Sequence, residues 1–181
     1  MATPAGDSAS KLGAGNLFSV NGLVAVVTGG GTGESRDTNM ASAMGIGLMI
    51  TKALVANGAS KVYIIGRRLP VLEEAAQAIG SPAVVPLRCD VASKLDLEVA
   101  AARIQSEVGY VNLLVCNSGI SGPLGIKPKP ETSLDEFVDA NLAVDFDEYT
   151  KTFAVNTSAV WYTTMSFLKL LEVPRETNTE M

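Results

Sequence analysis

The chain has 181 residues, 47% of them apolar and 18% charged, a balance suited to one buried core rather than a disordered chain. Its 14 basic and 19 acidic residues leave a net charge of −5, which excludes the basic patch that grips nucleic acid or anionic membrane. Histidine is absent, which removes Ser-His-Asp and Cys-His nucleophile systems and nearly every zinc site.

Residues 1–16 carry no hydrophobic segment and one cation, Lys11, so they read as a disordered arm rather than a signal peptide. From Leu23 onward, short apolar runs alternate with helix-period segments. Leu23 to Val27 is a continuous apolar run suited to a strand buried on both faces. Ile46, Met49, Ile50, Ala53 and Leu54 then fall on one helical face, and Asn57-Gly58 stops that helix. Val62 to Ile65 reads as a second strand. Pro70 opens a helix through Leu72, Ala75, Ala76 and Ile79 that Gly80 ends. A weaker third strand, Ala83 to Leu87, contains Pro86 and is expected at a sheet edge.

Leu97, Ala100, Ala101, Ile104 and Val108 predict the next helix, and Val111 to Cys116 a fourth strand. A Gly/Pro-rich loop follows, then a capping box at Ser133 to Glu136, and a last long helix over about Asp147 to Leu171. No apolar stretch approaches the ~20 residues of a membrane span. Cys89 and Cys116 lie inside apolar runs and read as reduced thiols, which suggests a cytoplasmic protein. The strand–helix alternation predicts an α/β fold, a Rossmann-like doubly wound parallel sheet with order 3-2-1-4 over residues 17–172, followed by a disordered tail over 173–181.

Three features bear on chemistry. Thr28 to Gly33 (Thr-Gly-Gly-Gly-Thr-Gly) stands directly after the first strand, where Gly29, Gly31, Thr32 and Gly33 let backbone approach a pyrophosphate held at the next helix start near Ile46. The same glycines also suit an ordinary tight turn. Gly66-Arg67-Arg68 ends the second strand, facing the adenosine ribose of a dinucleotide fold. Arginine there pairs with a 2′-phosphate, so Arg67 and Arg68 favour NADP(H) over NAD(H), unless they are only solvated surface cations. Asn117-Ser118-Gly119 ends the fourth strand at the topological switch point, or forms a simple strand-end turn.

Together with Cys89-Asp90-Val91 and Phe153-Ala-Val-Asn156-Thr, these motifs resemble the short-chain dehydrogenase/reductase family, in the family's order and over roughly residues 17–171. The stretch from Val24 to Arg68 most resembles NADP-dependent ketoreductases of the acyl-carrier-protein reductase type. The resemblance implies that Asp90 and Val91 contact adenine and that Asn117 and Gly119 support the central sheet and cofactor. It implies further that Asn156 holds a water of the proton relay beside a catalytic lysine. On its own position, Asn156 is an amide on an apolar helical stripe with Tyr149, Phe153, Val160, Phe167 and Leu171, where a bond to neighbouring backbone is the alternative.

Two departures qualify the resemblance. Residues 34–45 interrupt the family's Thr-Gly-x-x-x-Gly-x-Gly, and removing them restores the pattern, although Gly45 also serves as its second glycine. The insertion is expected to separate the strand turn from the helix start and weaken cofactor binding. The family's catalytic Tyr-x-x-x-Lys is also missing, because four residues after Tyr63, Tyr110, Tyr149 and Tyr162 stand Arg67, Leu114, Phe153 and Ser166. The expectation is a C-terminally truncated, inactive cofactor half of an oxidoreductase for a small carbonyl or alcohol, binding neither nucleic acid nor membrane. The alternative is a non-catalytic module pairing with another chain, as a homo- or hetero-oligomer, through its exposed apolar face.

Overall fold

The computed structural model describes residues 19–31, 45–123 and 125–172. The expected arm, the expected tail, Thr32, Gly33 and all of the insertion except Gly45 lie outside the described residues. Four strands, β1 (Val24–Thr28), β2 (Lys61–Gly66), β3 (Val84–Arg88) and β4 (Leu113–Val115), form one sheet in the order β3-β2-β1-β4, with every pair parallel. The expected order is the observed one.

Each strand sits where its side chains can be buried. β1 is apolar on both faces and buried throughout, so it takes the centre beside β2. β3 pairs Pro86 opposite Ile64 and lies at the edge, where a residue without an N–H leaves no ladder bond unmade on its outer side. β4 is shorter than its apolar run predicts. Val111 gives its N–H to Leu170 O at 2.9 Å, and Asn117 turns back to Val115 O at 3.1 Å, so both flanks leave the ladder.

Alternation along the strands divides the core. Ala25, Val27, Val62 and Ile64 pack with Leu48 and Leu54 of α1 (Ile46–Ala56) and Leu72 and Ala75 of α2 (Leu69–Ile79). On the other face, Val24, Val26, Tyr63 and Ile65 pack with Leu97, Ala100 and Ile104 of α3 (Lys94–Glu107) and Phe167 and Leu170 of the last helix. The sheet is therefore covered on both sides. Gly80 ends α2 in the left-handed region at φ 69°, and the Ser93 hydroxyl caps α3 by accepting from Asp96 N at 3.2 Å.

Ser133 caps the short helix α4 (Leu134–Leu142) by accepting from Glu136 N at 3.1 Å. The last helical run is then α5 (Phe146–Phe153), a π-turn (Ala154–Ser158) and α6 (Ala159–Glu172). The π-turn corrects the expected stripe. Its wider turn shifts the register, so the buried line is Val155, Ala159, Thr163, Phe167 and Leu170, while Tyr149, Phe153 and Val160 are exposed.

Candidate functional site

The carboxyl ends of the four strands open into a cavity of about 390 Å³. Gly29 and Gly31 from the turn after β1, Gly45 and Ile46 at the start of α1, and Gly66, Arg67 and Arg68 after β2 line it. Val71 and Leu72 of α2, Cys89, Asp90 and Val91 after β3, residues 117–120 after β4 and Val155 complete the wall. Of the candidates named from sequence, only Thr32 and Gly33 lie outside the described residues and only Asn156 stands behind the wall.

The β1 turn and the start of α1 share one corner. Gly29 adopts φ 66°, a conformation that favours glycine, and donates its N–H to Ile65 O at 2.8 Å. Gly45 is the N-cap of α1, accepting from Leu48 N at 2.9 Å and Met49 N at 3.2 Å. Gly47 is buried against the turn, where a Cβ would stand 2.6 Å from Asn117 Nδ2 and press on the Gly29 carbonyl. The insertion therefore does not part the strand turn from the helix start, as the sequence had suggested it would. The amides of Ile46 and Gly47 precede the first intrahelical bonds, and no acidic residue stands in that first turn, so the corner suits an anion.

At the β2 end, Arg67 and Arg68 are exposed at the cavity rim. At the β3 end, Asp90 closes a turn by accepting from Ala92 N at 2.9 Å, while its own N–H donates to Asp96 Oδ2 at 2.9 Å. That backbone bond, followed by the Ser93 hydroxyl, holds the Asp96 carboxyl below the usual range. Cys89 faces the cavity wall yet is buried. Desolvation, then the carboxylates of Asp96 and Asp90, push its thiol up to about 12, which disfavours the reactive thiolate.

β1 and β4 are held together at their carboxyl ends by one hydroxyl. Thr28 Oγ1 accepts from Asn117 N at 2.9 Å and Ser118 N at 3.0 Å and donates to Val115 O at 3.3 Å. Asn117 Nδ2 returns a bond to Thr28 O at 3.0 Å and a longer one to Gly29 O at 3.3 Å. Asn156, expected to be buried, is exposed. Its amide is engaged with backbone, accepting from Ile120 N and donating to Ile120 O, both at 2.9 Å.

Gly47 is the last glycine of the family pattern once residues 34–45 are removed, and the fold sets it in the corner beside the β1 turn. Sequence reasoning missed Ile120, Val71, Leu72 and Val155, which only the tertiary fold brings to the cavity. Among the described residues neither tyrosine nor lysine lines it, and Tyr63 is buried in the sheet with its hydroxyl 2.8 Å from Glu107 Oε2. Among the described residues no group of three or more His, Cys, Asp or Glu could hold a metal, and no helix is long and apolar enough to cross a membrane.

A family model described as short chain dehydrogenase matches residues 23–178. The chain is 46% identical over 160 residues to the short-chain dehydrogenase/reductase PhomF of Diaporthe leptostromiformis, covering 88% of this chain and 50% of that protein. It is 42% identical over 163 residues to the short-chain dehydrogenase/reductase VdtF of Byssochlamys spectabilis, covering 88% and 49%. The chain thus spans about half the length of these curated relatives. A short-chain type dehydrogenase/reductase from Mycobacterium marinum shares the fold at a TM-score of 0.65 and 22% identity, over 86% of this chain and 52% of that one. With the glycine corner, the strand order and the matched residues in agreement, the chain belongs to the short-chain dehydrogenase family.

Proposed function

We propose that these 181 residues form the dinucleotide-binding half of an oxidoreductase, prefer NADP(H) to NAD(H), and do not turn over a substrate alone. Members of this family bind NAD(P), which supplies or accepts a hydride when bound. One observation carries the reading: Gly29, Gly31, the start of α1, the β2 arginines and Asn117 converge on a single cavity at the switch point of the sheet. The closely packed glycine corner suits a pyrophosphate, and Asp90 and Val91 suit an adenine. Arg67 and Arg68, exposed at the cavity rim with no carboxylate at the end of β2, support pairing with a 2′-phosphate. The lack of a Tyr-x-x-x-Lys in these 181 residues, and of tyrosine or lysine among the described residues lining the cavity, supports the reading that they do not turn over a substrate alone. The substrate class of the complete enzyme is a small carbonyl or alcohol, and the two free thiols fit a reducing, cytoplasmic setting.

Fluorescence titration with NADPH and NADH tests this directly. Tighter binding of NADPH is expected, with the preference lost in Arg68→Glu. Equal affinity for both nucleotides in the native chain contradicts the NADP(H) assignment. Ketone reduction by the purified chain contradicts the absence of turnover.

A second reading, an interaction module that pairs with another chain, has its own support. Leu142 and Phe146 are each 78% exposed and Trp161 is 62% exposed, on the run of helices from α4 to α6. The β4 edge is wholly apolar, whereas the β3 edge carries Pro86 and Arg88, which blunt pairing. A stable monomer in size-exclusion chromatography, with no binding of an apolar dye, counts against this reading.

A further inference from the structure

The cavity wall after β4 is held from behind at two points. Residues 119–122 run along the helix of α5 and the π-turn, and the Asn156 amide grips Ile120 through the paired 2.9 Å bonds. Four residues earlier, on the same helical face, Thr152 meets the end of the segment. A Cβ on Gly122 would stand 3.1 Å from Thr152 Oγ1, 3.7 Å from Cγ2 and 3.9 Å from Cβ. Gly122 does not adopt a positive φ, so the obstacle to a side chain there is Thr152 rather than backbone strain.

The Thr152 hydroxyl oxygen is shielded from solvent and has no hydrogen-bond partner among the described residues. An unbonded buried hydroxyl is unfavourable compared with a methyl, so its contribution here is volume, not bonding. The paired bonds act at Ile120 alone, which leaves freedom at residue 122. The contact two residues on removes that freedom, and Gly119 and Ile120 both line the cavity.

We propose that Thr152 is a positioning residue: its side chain abuts Gly122 and, with the Asn156 clamp, sets where Gly119 and Ile120 stand in the dinucleotide cavity. This rests on the dinucleotide reading above. The test uses the full chain, NADPH titration by fluorescence, and amide hydrogen exchange over residues 119–122 without nucleotide. Gly122→Ala is expected to raise the Kd for NADPH about fivefold and to speed exchange in the segment. Adding Thr152→Ala, which removes the Oγ1 and Cγ2 contacts, is expected to restore most of both losses. Thr152→Val keeps the volume and is expected to leave both unchanged.

Native affinity and exchange in Gly122→Ala, or a double variant as impaired as the single one, overturns the proposal. So does a loss of affinity in Thr152→Val. If Gly122→Ala fails to fold, Thr152→Ile presses on the same contact from the helix, and unaltered exchange there overturns it equally. If the native chain binds neither NADPH nor NADH, the dinucleotide reading fails. The exchange measurements then still decide whether Thr152 fixes the segment.

Discussion

Gly47 and Asn117 come from elements far apart in sequence, yet a Cβ on Gly47 would lie 2.6 Å from Asn117 Nδ2. That approach joins the start of α1 to the end of β4 and closes the corner proposed to hold a phosphate. Gly47→Ala brings two opposed effects. Helix propensity gains about 1 kcal/mol, while overpacking against backbone that cannot withdraw costs about 1–3 kcal/mol. The collision involves the Gly29 carbonyl as well, so the second effect wins. A lower urea midpoint and weaker NADPH binding are expected, and an unchanged midpoint would show that the corner relaxes.

Thr28 is the complementary case, where a hydroxyl rather than its absence matters. Its Oγ1 serves the amides of Asn117 and Ser118 inside a side chain only 1% exposed. Thr28→Val keeps the shape and leaves both N–H groups without that acceptor, at a cost of about 2–3 kcal/mol. Thr28→Ser retains the acceptor and is expected to lose less than half as much. Paired urea titrations check this, and equal losses in the two variants would assign the effect to packing.

The sheet was legible because its signals are local. Val24 to Val27 and Val62 to Ile65 read as buried strands, Pro86 marked an edge, and Gly80 marked a helix end. The glycine corner was legible only in part. Spacing along the chain interpreted residues 34–45 as a separation, whereas the fold returns Gly45 to the turn after β1. Asn156 was misjudged for a related reason. The π-turn at Ala154–Ser158 leaves no mark in apolar periodicity, so a stripe drawn at α-helical spacing placed the amide in the core. Val71, Leu72 and Val155 carry no chemical signal, and only their tertiary placement brings them to the cavity.

Tyr63 and Glu107 make stability depend on pH at both extremes. Hydrogen bonding from Arg103, then from Tyr63, holds the Glu107 carboxyl below its usual range. A lowered carboxyl stabilises the fold above its unfolded value of 4.5 and loses that contribution as pH falls through its folded value. Burial, then the bond to Glu107, raises Tyr63 well above 10.0. Its contribution is complete below pH 10 and is lost as pH rises towards the folded value. Urea midpoints measured against pH are expected to flatten on the acid side in Glu107→Gln and on the alkaline side in Tyr63→Phe. An acid limb of native slope in Glu107→Gln would place that dependence on other carboxyls.

Cys89 and Cys116 are expected to differ in reactivity although both are free thiols. Cys89 is fully buried, and the rise of its pKa from 9.0 to about 12 leaves roughly a thousandfold less thiolate at a given pH. Cys116 is half-buried, and burial raises its thiol while a bond with Thr164 draws it back. Iodoacetamide should therefore modify Cys116 first in the native chain. Cys116→Ser should leave a protein that resists modification until denaturant exposes Cys89. Because Cys89 lines the cavity, its labelling also reports on the wall after β3. Rapid native modification of Cys89 would mean that this wall opens, and the burial that raises its pKa would then be incomplete.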